Sequence, residues 1–473
     1  MAHRDRISEL VEARKELFEQ LNDEIWGYAE TRFAEYRSSA AHARVMEQLG
    51  FRVRTNLAGE ETALIAEYGS GKPVIGIMGE FDALSGLSQQ ADYTEHRPVE
   101  GCDNGHGCGH NTLGAASAAA VAALKDFMEE NHLPGTVRFY GCPAEENAGG
   151  KAFLVRDGLF DDVDIALSWH PSCWNQVDEG GSLANFRVLY TFYGQSAHAA
   201  GAPHLGRSAL DAVELMSVGA NYMREHMIDE AKIHYAYINA GGTSPNVVQP
   251  EAQVLYAMRA PTVSQVKELY DRLARIAKGA AMMSETEVTI RQVAAYSNTI
   301  ANRVINERLT ENLDAFLPVD YTEEELEYAR RFRKVIPERD AQNLPRQLKM
   351  LFDPKEAREA LEMPIFNFRA KTNMIVRGSN DVGDVSWVCP TSLFWAPCYA
   401  AGTPVHTWQE TAQGKSSVCH KGMRLAAKVL ASTAVDFLTD PALVEAAHQA
   451  WLEDLDGESY PNPLPPDCKP EIW

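Results

Sequence analysis

The chain lacks the sequence features of membrane, secreted and nucleic-acid-binding proteins. It contains no run of ~18 apolar residues, the length that a helix needs to cross a bilayer, and its charged N-terminus has no apolar signal core. Eight cysteines scattered over 473 residues do not form the pattern of a disulfide framework. A formal net charge of −22 argues against nucleic acid or an anionic membrane as a partner, because both require a basic surface. We therefore expect a protein of the reducing cytoplasm with neither kind of partner.

Three common catalytic motifs are also missing. There is no His-Glu-x-x-His helix, which argues against a zincin, and no Gly-x-Ser-x-Gly elbow, which argues against a serine hydrolase. No glycine-rich phosphate loop followed by Lys and Ser or Thr is found.

The composition, 45% hydrophobic and 23% charged, is that of an ordinary globular protein, and 473 residues are too many for one small core. Two domains are therefore expected.

What the chain does contain is a group of metal-binding residue types in the glycine-rich segment 101–113. Cys102, His106, Cys108 and His110 fall within nine positions, directly before an alanine-rich stretch. Glycine lets the backbone turn tightly around an ion, and thiolate and imidazole groups supply ligands. Cys108 and His110 can face one ion, whereas His106 would lie behind the ligands or face a substrate. The alternative is a glycine-rich loop with a buried cysteine and incidental histidines.

Other acidic and imidazole side chains follow predicted strands. They are Asp82 after the apolar run 74–79, the Glu145-Glu146 pair after 136–142, and His170 at the end of 163–169. Open α/β sheets have their sites beyond the carboxyl ends of their strands, so we expect these groups to meet at one edge. Taken singly, Asp82 has an ordinary alternative as the cap of a turn, and the glutamate pair as a solvated turn.

The order of the predicted elements indicates one domain inserted into another. Residues 1–185 and 301–473 are expected to form an α/β catalytic domain with a central sheet and flanking helices. Residues 186–300 have the order strand, helix, strand, strand, helix, strand, which is typical of a ferredoxin-like α+β unit. Residues 318–370 are highly charged and mostly helical in pattern, and form a lid, a specificity insert or an interface.

Outside the inserted domain, apolar spacing predicts the remaining helices. They cover 5–36, 39–50, 115–130 and 421–438, the last of which is expected to be the final helix before a proline-rich tail. Residues 378–387 and 402–408 are predicted to be loops, and the second of these carries His406.

Six of these side chains suit a site for two divalent ions. They are Cys108, His110, Glu145, Glu146, His170 and His406. Each ion would take nitrogen, sulfur or carboxylate ligands, and the two would share a water or hydroxide. One glutamate would bind metal while its neighbour removes the proton of the water, and the expected reaction is hydrolysis of an amide. Mixed ligands suit Zn²⁺, and carboxylate-rich sites also accept Mn²⁺.

These motifs, in this order, resemble the dinuclear metallo-aminoacylase and carboxypeptidase family. The resemblance is carried by 105–110, Glu145-Glu146, His170-Pro171, 197–200 and His406. It is strongest to the branch that acts on aminobenzoyl-glutamate, through 104–111, 138–142, 209–213, 244–249 and 402–408. It implies an α/β catalytic domain with a central sheet and flanking helices, and an inserted ferredoxin-like domain used for dimerisation. One departure is Asn111, where many members of the family have Asp.

The resemblance also implies a role for each site residue. The metal ligands would be Cys108, His110, Glu146, His170 and His406. Glu145 would be the general base toward a metal-bridged hydroxide, and Asp82 would orient the site. His198 would reach into a neighbouring subunit's site and stabilise the oxyanion, while Asn246 and Arg259 would bind the free carboxylate of the substrate. From the residues alone, His198 is also explained as an ordinary strand-end histidine, and Arg259 as part of a structural ion pair.

The expected function is that of an amidohydrolase with two divalent metal ions per chain. Its substrate would be an N-acyl amino acid, with an aryl acyl group as in aminobenzoyl-glutamate, which belongs to folate catabolism. The alternatives are a dipeptidase for β-alanyl or similar dipeptides and a non-catalytic partner subunit, and the complete set of site residues argues against the latter. The chain would form a homodimer or a heterodimer with a homologous subunit.

Overall fold

A computed structural model describes residues 2–370 and 378–472, and its largest feature is a seven-stranded mixed sheet. Its strands are β1 (Arg52–Leu57), β2 (Glu60–Ser70), β3 (Val74–Glu80), β6 (Gly135–Cys142), β7 (Ile165–Ser172), β8 (Gln176–Val177) and β13 (Thr391–Pro397). They are arranged in the order β1-β2-β6-β3-β7-β13-β8. The four central strands β6, β3, β7 and β13 are parallel, and the outer pairs are antiparallel. A short hairpin, β4 (Leu84–Ser85) and β5 (Asn104–Gly105), lies apart from this sheet.

Helices cover both faces of this sheet. They are α1 (Ala2–Ala13), α2 (Lys15–Tyr28), α3 (Tyr36–Gln48), α4 (His110–Asn131), α5 (Gly150–Arg156), α8 (Arg303–Phe316), α12 (Val382–Ser386), α13 (Trp408–Gln413), α14 (Ser417–Thr439) and α15 (Pro441–Leu455). Strand β3 is buried along its whole length, as its continuous apolar sequence predicts for a strand covered on both sides. Every residue of 115–123 in α4 is buried, and the small side chains there let α4 approach β3 closely. The start of α4 is thereby fixed above the carboxyl end of β3.

The ferredoxin-like unit forms a second sheet. Its elements are β9 (Ala184–Tyr193), α6 (Ala209–Met223), β10 (Lys232–Asn239), β11 (Glu251–Ala260), α7 (Val263–Ser284) and β12 (Glu287–Tyr296). The four strands are antiparallel in the order β10-β11-β9-β12. Alternate residues of β9 and β11, such as Val188 and Tyr256, join α6 and α7 in one apolar core, so the other face of the sheet is turned away from these helices.

The charged segment 318–370 is helical, as its pattern predicts. It consists of α9 (Glu323–Arg333), α10 (Glu338–Leu351) and α11 (Pro354–Glu362). Phe332 of α9 packs with Ala400 and Val418 in a small apolar cluster. The side-chain amide of Gln409 donates to the backbone oxygen of Val335 (3.2 Å). The segment therefore packs against the chain that flanks the loop 402–408.

Three predictions of secondary structure are wrong. Residues 5–36 are not one helix, because α2 ends at Tyr28 and Ala29 adopts a left-handed backbone (φ 44°). The predicted loop 378–387 contains the short helix α12. Helix α14 is not the last helix, since α15 follows it, with Pro441 in its first turn and Asp440 capping it. In the described residues, no helix is both long and apolar enough to cross a bilayer.

Candidate metal centre and active site

A cavity of about 300 Å³ lies between the central sheet and the inserted domain. On the catalytic side it is lined by Cys108, Glu145, Glu146, His170, Leu393, Trp395, Val405 and His406, and on the side of the inserted domain by Asn185, Arg187, Arg259 and Tyr296. Thiol, carboxylate and imidazole groups thus face guanidinium groups across one space. His110 and Asp82 are buried directly behind the first wall, in contact with Glu146.

The turn before α4 brings Cys108 and His110 to the site. Gly109 has a left-handed backbone (φ 72°) and precedes the first residue of the helix, His110. A Cβ at Gly109 would lie only 2.0 Å from the hydroxyl oxygen of Tyr399, so no larger residue fits. These two ligand candidates therefore lie at a helix start rather than at a strand end.

Asp82 connects two of the predicted ligands. Its Oδ1 lies 2.8 Å from Nδ1 of His110, and its Oδ2 accepts a hydrogen bond from the backbone N–H of Glu146 (3.0 Å). A proton on Nδ1 leaves Nε2 of His110 with a free lone pair. That Nε2 atom is buried without a hydrogen-bond partner and lies 3.2 Å from Oε2 of Glu80 and 4.0 Å from Oε1 of Glu146.

His170 presents its other nitrogen to Cys108. Its Nδ1 lies 2.7 Å from the backbone oxygen of Pro171, and its Nε2 lies 3.5 Å from Sγ of Cys108. His170 lies within β7, not beyond it, and β3 pairs with β7 only as far as Leu167. His170 therefore lies three residues beyond the end of the pairing between β3 and β7, and its imidazole lines the cavity.

The glutamate pair follows a strained turn after β6. Ala144 has a left-handed backbone (φ 58°), and its N–H donates to Oε1 of the buried Glu35 (3.1 Å). The hydroxyl of Tyr296, at the end of β12, donates to the backbone oxygen of Glu145 (3.0 Å). Residues of both domains therefore hold the pair, and the strain is of the kind that is found at functional sites.

His406 is also held in a left-handed backbone conformation (φ 57°). Its N–H donates to the backbone oxygen of Gly107 (2.8 Å) and to Oε2 of the buried Glu410 (2.9 Å). Its Nε2 lies 3.4 Å from Oε1 of Glu146. The loop 402–408 is thereby tied to the glycine-rich turn that carries Cys108, although the two are far apart in the chain.

The donor atoms form groups that fit metal ions. Three sets of ligand atoms each lie within 4.8 Å of one another: Cys108, His110 and His170; Cys108, Glu146 and His406; and Glu80, His110 and Glu145. Glu80 Oε2, His110 Nε2 and Glu146 Oε1 are buried without hydrogen-bond partners. Unsatisfied buried donors and acceptors are costly, and these three converge on one point. The residues present therefore fit a pair of divalent cations, with Cys108 shared between two of the sets.

The two glutamates have opposite pKa shifts. Burial, together with the charges of Glu80 and Glu146, raises the pKa of Glu145 well above its usual value. Burial alone would also raise the pKa of Glu146, but the imidazole of His406, 3.4 Å from its Oε1, and the charge of His110 lower it to about 2. Glu145 is thus suited to hold a proton, and Glu146 to remain ionised.

The pKa values of His110 and Cys108, which lie among carboxylate groups, are both raised. Burial alone would lower the pKa of His110, but the carboxylates of Asp82 and Glu80 hold it well above its usual value. Burial and the charge of Glu146 raise the pKa of the Cys108 thiol. Carboxylates contribute to both shifts, and divalent cations would offset their charge and favour the thiolate.

A buried ion-pair network beside the site was missed by sequence reasoning. The ammonium group of Lys151 is fully buried and lies 2.5 Å from Oε1 of Glu80 and 2.6 Å from Oδ1 of Asp381. Glu80 contacts His110 with its other oxygen. Glu80 follows the same apolar run as Asp82, which is a sign of it in the sequence, but nothing in the sequence marks Lys151 as buried.

His106 does not face a substrate. It is buried with its Nε2 3.0 Å from the backbone oxygen of Ile25, and burial and the charge of His110 lower its pKa to about 3. Asn111, at the position of departure from the family pattern, donates to the side chain of Asn22 and to the backbone oxygen of Gly414, both at 2.9 Å. Asn111 therefore ties α4 to α2 and to the chain before α14.

The structure brings Arg259 to the cavity but not His198 or Asn246. His198 and Asn246 are exposed and lie beside each other in the inserted domain, where the N–H of Ala199 donates to the backbone oxygen of Asn246 (3.0 Å). Neither residue lines the cavity of its own chain. Their predicted roles require a second subunit and stay predictions.

The sequence and fold match known proteins over most of their length. The profile of peptidase family M20/M25/M40 matches residues 76–463. The chain is 43% identical over 471 residues to one of the subunits of the p-aminobenzoyl-glutamate hydrolase of Escherichia coli (strain K12), covering 98% of each chain. It is 27% identical to the Xaa-Arg dipeptidase of Mus musculus, over 97% of this chain and 94% of that one.

A solved structure with the same fold is a dinuclear metal binding peptidase of the M20 family from Bacillus subtilis. It has a TM-score of 0.51 at 17% identity and covers 88% of this chain and 99% of that one. The mixed sheet with flanking helices is thus the fold of that family. This chain belongs to peptidase family M20/M25/M40, and it is a metal-dependent hydrolase of amide bonds.

Proposed function

We propose that this protein hydrolyses the amide bond of an N-acyl amino acid whose acyl group is aromatic, such as aminobenzoyl-glutamate. The observation that carries the proposal is a single cavity with a cluster of metal-binding groups on one wall and the guanidinium of Arg259 on the other. The metal-binding cluster suits the hydrolysis of an amide, and the guanidinium suits the binding of a free carboxylate. The 43% identity to a chain of a p-aminobenzoyl-glutamate hydrolase supports the aromatic acyl group.

The proposed metal ligands are the five that the family resemblance implied. Cys108, His110 and His170 would hold one ion, and Cys108, Glu146 and His406 the other. Divalent ions there, zinc or manganese, would lower the pKa of a water and polarise the scissile carbonyl. The dinuclear metal site of the M20 peptidase with this fold supports the number two.

Glu145 is the proposed general base. Its carboxylate lines the cavity and is buried, and its neighbour Glu146 is held ionised beside His406. Glu145 would accept the proton of the attacking water and return it to the leaving amine, which requires a group that can hold a proton in the closed site. Asp82 would keep the imidazole of His110 in one tautomer through its 2.8 Å hydrogen bond.

Arg259 is the proposed partner of the free carboxylate of the amino acid. One of its Nη atoms donates to the hydroxyl of Ser379 (2.7 Å), and none of the ion pairs among the described residues involves it. The guanidinium is therefore oriented but not neutralised, and a bidentate carboxylate would complete it. On the opposite wall, Leu393 and Trp395 offer apolar surface for an aromatic acyl group.

His198 and Asn246 are proposed to act in the site of another subunit. Nδ1 of His198 accepts from the N–H groups of Ala200 (3.3 Å) and Gly201 (3.0 Å), so the proton lies on Nε2 and is available to an oxyanion. In the single chain, the side chains of His198 and Asn246 are both exposed to solvent. A dimer would give them a site to complete.

The inserted domain offers surface for such a dimer. Its outer strand β10 pairs only with β11 among the described residues and exposes Tyr235 and Tyr237, while α6 exposes Val218 and Tyr222. An exposed strand edge and apolar side chains favour association, because pairing covers both. The partner is a second copy or a homologous subunit, and the name of the Escherichia coli relative, which describes it as one subunit of a hydrolase, supports the latter.

A dipeptidase for substrates with a C-terminal arginine and a non-catalytic subunit both fit the cavity less well, while the β-alanyl dipeptidase remains an alternative that the assay below tests. A dipeptide with a C-terminal arginine, as in the name of the mouse relative, would bring a third guanidinium beside Arg187 and Arg259. That arrangement adds repulsion between like charges. A non-catalytic subunit would not need Glu145 and a full set of ligands around one cavity.

The test is a hydrolysis assay on a panel of N-acyl amino acids and dipeptides with metal-loaded protein, alone and with a homologous subunit. Release of 4-aminobenzoate from N-(4-aminobenzoyl)-L-glutamate, faster than cleavage of β-alanyl dipeptides, is expected. Turnover of dipeptides alone, or of no amide in any combination, would contradict the proposal.

A further inference from the structure

The cavity contains a second guanidinium, that of Arg187, in addition to that of Arg259. Arg187 lies on β9 two residues after Asn185, and Asn185 is paired with Arg259 on the neighbouring strand β11. Arg187 and Arg259 are therefore diagonal neighbours on one sheet face, with Cα atoms roughly 7–8 Å apart. This face is turned away from α6 and α7 and forms the wall of the cavity opposite the metal-binding groups.

Neither guanidinium has a carboxylate partner among the described residues. Nη1 of Arg187 contacts the side-chain oxygen of Asn147 (3.2 Å), and its guanidinium lies 5.7 Å from the ring centre of Tyr296. Both arginines are partly buried, and burial, together with the charge of Arg187, lowers the pKa of Arg259. Two unneutralised cations side by side are unfavourable unless an anionic ligand joins them.

Asn185 supplies an independent sign of a missing ligand. It lies directly opposite Arg259 and two residues before Arg187 in the sheet register, is 1% exposed, and lines the cavity. Its side-chain oxygen has no hydrogen-bond partner. Because buried amide groups are nearly always satisfied, an unpartnered amide oxygen that faces a cavity indicates a ligand with a hydrogen-bond donor, such as the N–H of an N-acyl amino acid.

The charge of Glu145 acts on Arg259 and raises its pKa against the effect of burial, but no carboxylate of the described residues forms an ion pair with Arg187 or Arg259. Asp178 also lines the cavity, but its Oδ1 accepts from the backbone N–H of Gly181 (2.9 Å). It forms no ion pair with Arg187 or Arg259 within the described part of the chain. The positive wall therefore remains open to a substrate.

We infer that Arg187 binds a second carboxylate of the substrate, that of the amino acid side chain, so that the site selects N-acyl derivatives of dicarboxylic amino acids. The inference rests on the proposed function, since it assumes that Arg259 holds the α-carboxylate. Two carboxylates of one small amino acid can each meet one of two neighbouring guanidinium groups. A neutral side chain would leave the partly buried Arg187 without an anionic partner in the complex, which is the stronger basis of the selectivity.

The test compares two substrates of nearly equal shape, N-(4-aminobenzoyl)-L-glutamate and N-(4-aminobenzoyl)-L-glutamine. In the wild-type protein, kcat/KM should favour the glutamate compound by roughly 10²-fold or more. R187Q should remove most of this preference by slowing the glutamate compound, with turnover of the glutamine compound kept within about threefold. R187K, which retains the charge, should restore part of the preference. R259Q should slow both compounds.

A matched control is R303Q, which removes an exposed arginine that pairs with Glu453 on the surface of the catalytic domain. It should leave the preference unchanged. Equal kcat/KM values for the two compounds in the wild-type protein, or equal losses on both in R187Q, would overturn the inference while leaving the proposed function intact. If neither compound is hydrolysed, the proposed function fails, and calorimetric binding of L-glutamate and L-glutamine to E145Q decides the inference separately. Equal affinities there would overturn it.

Discussion

Asp82 Oδ1 lies 2.8 Å from Nδ1 of His110, and the other oxygen of the same carboxylate accepts the N–H of Glu146 at 3.0 Å. One buried side chain thus fixes the ring of one proposed ligand and the backbone of another. Removing the charge at Asp82 should loosen both.

We expect D82N to weaken metal binding by roughly 10–100-fold, because a neutral amide holds the imidazole less firmly in the required tautomer. Competition with a chromogenic chelator measures this. D103N, which changes an exposed aspartate near the same loop, is the matched control. Unchanged metal affinity in D82N would show that Asp82 does not orient the site.

The proposed division of labour between the two glutamates predicts two different defects. E145Q should keep its metal and lose turnover by roughly 10²–10⁴-fold, because it retains the volume of the side chain but not the proton acceptor. E146Q should instead lower the metal content. Metal analysis and kcat on the same samples separate the two, and a fully active E145Q would remove Glu145 from the role of base.

In a homodimer of this chain, the shared site predicts complementation between inactive variants. In a hybrid dimer of E145Q and H198A, one site carries both defects and the other neither, so an equal mixture should recover about a quarter of wild-type activity. A mixture of E145Q and E146Q is the control, since both changes lie on the catalytic side and every site keeps one defect. If subunits demonstrably exchange and activity does not return, His198 does not act across a dimer.

His42 predicts a loss of stability in acid. It is fully buried, stacked on Phe139 (5.3 Å between ring centres), and burial lowers its pKa to about 4. The unfolded chain takes up this proton near pH 6.5 and the folded chain only near pH 4. The unfolded state therefore binds more protons between these values, and the contribution of His42, complete above pH 6.5, is lost as the pH falls toward 4.

The corresponding measurement is urea unfolding at pH 7 and pH 4.5 in the presence of a chelator. H42Q should reduce the difference between the two free energies of unfolding by about 2–3 kcal/mol. H448Q, on the exposed face of α15, is the matched control for loss of a histidine. An unchanged difference in H42Q would mean that His42 titrates alike in both states.

The parts of the fold that sequence could predict are those with local patterns. The apolar run of β3 and the alternation of strands and helices in the inserted domain depend on neighbouring residues. The helix break after Tyr28 was missed because apolar spacing gives no sign of the left-handed backbone at Ala29. Helix α15 does carry a local signal, since Asp440 followed by Pro441 is typical of a helix start.

The candidate site shows the same limit. Residue types alone singled out Cys108 and His110. Lys151 could not be predicted, because its partner Asp381 is 230 positions away and only the folded sheet brings them together. The role of Arg187 could not be predicted either. The sequence does not tell which face of the sheet an arginine lies on until the register of β9 with β11 is known.

The central claim is that metal bound at the residues around Cys108 makes this chain an amidohydrolase. The most direct measurement is the titration of metal-free protein with Zn²⁺ or Mn²⁺, following hydrolysis of N-(4-aminobenzoyl)-L-glutamate together with bound metal, with the homologous subunit added if the chain alone is inactive. Activity should be absent without metal and should reach its maximum near two ions per chain, and C108A should abolish this response. Full turnover by metal-free protein in excess chelator, or activity that does not depend on Cys108, would contradict the account.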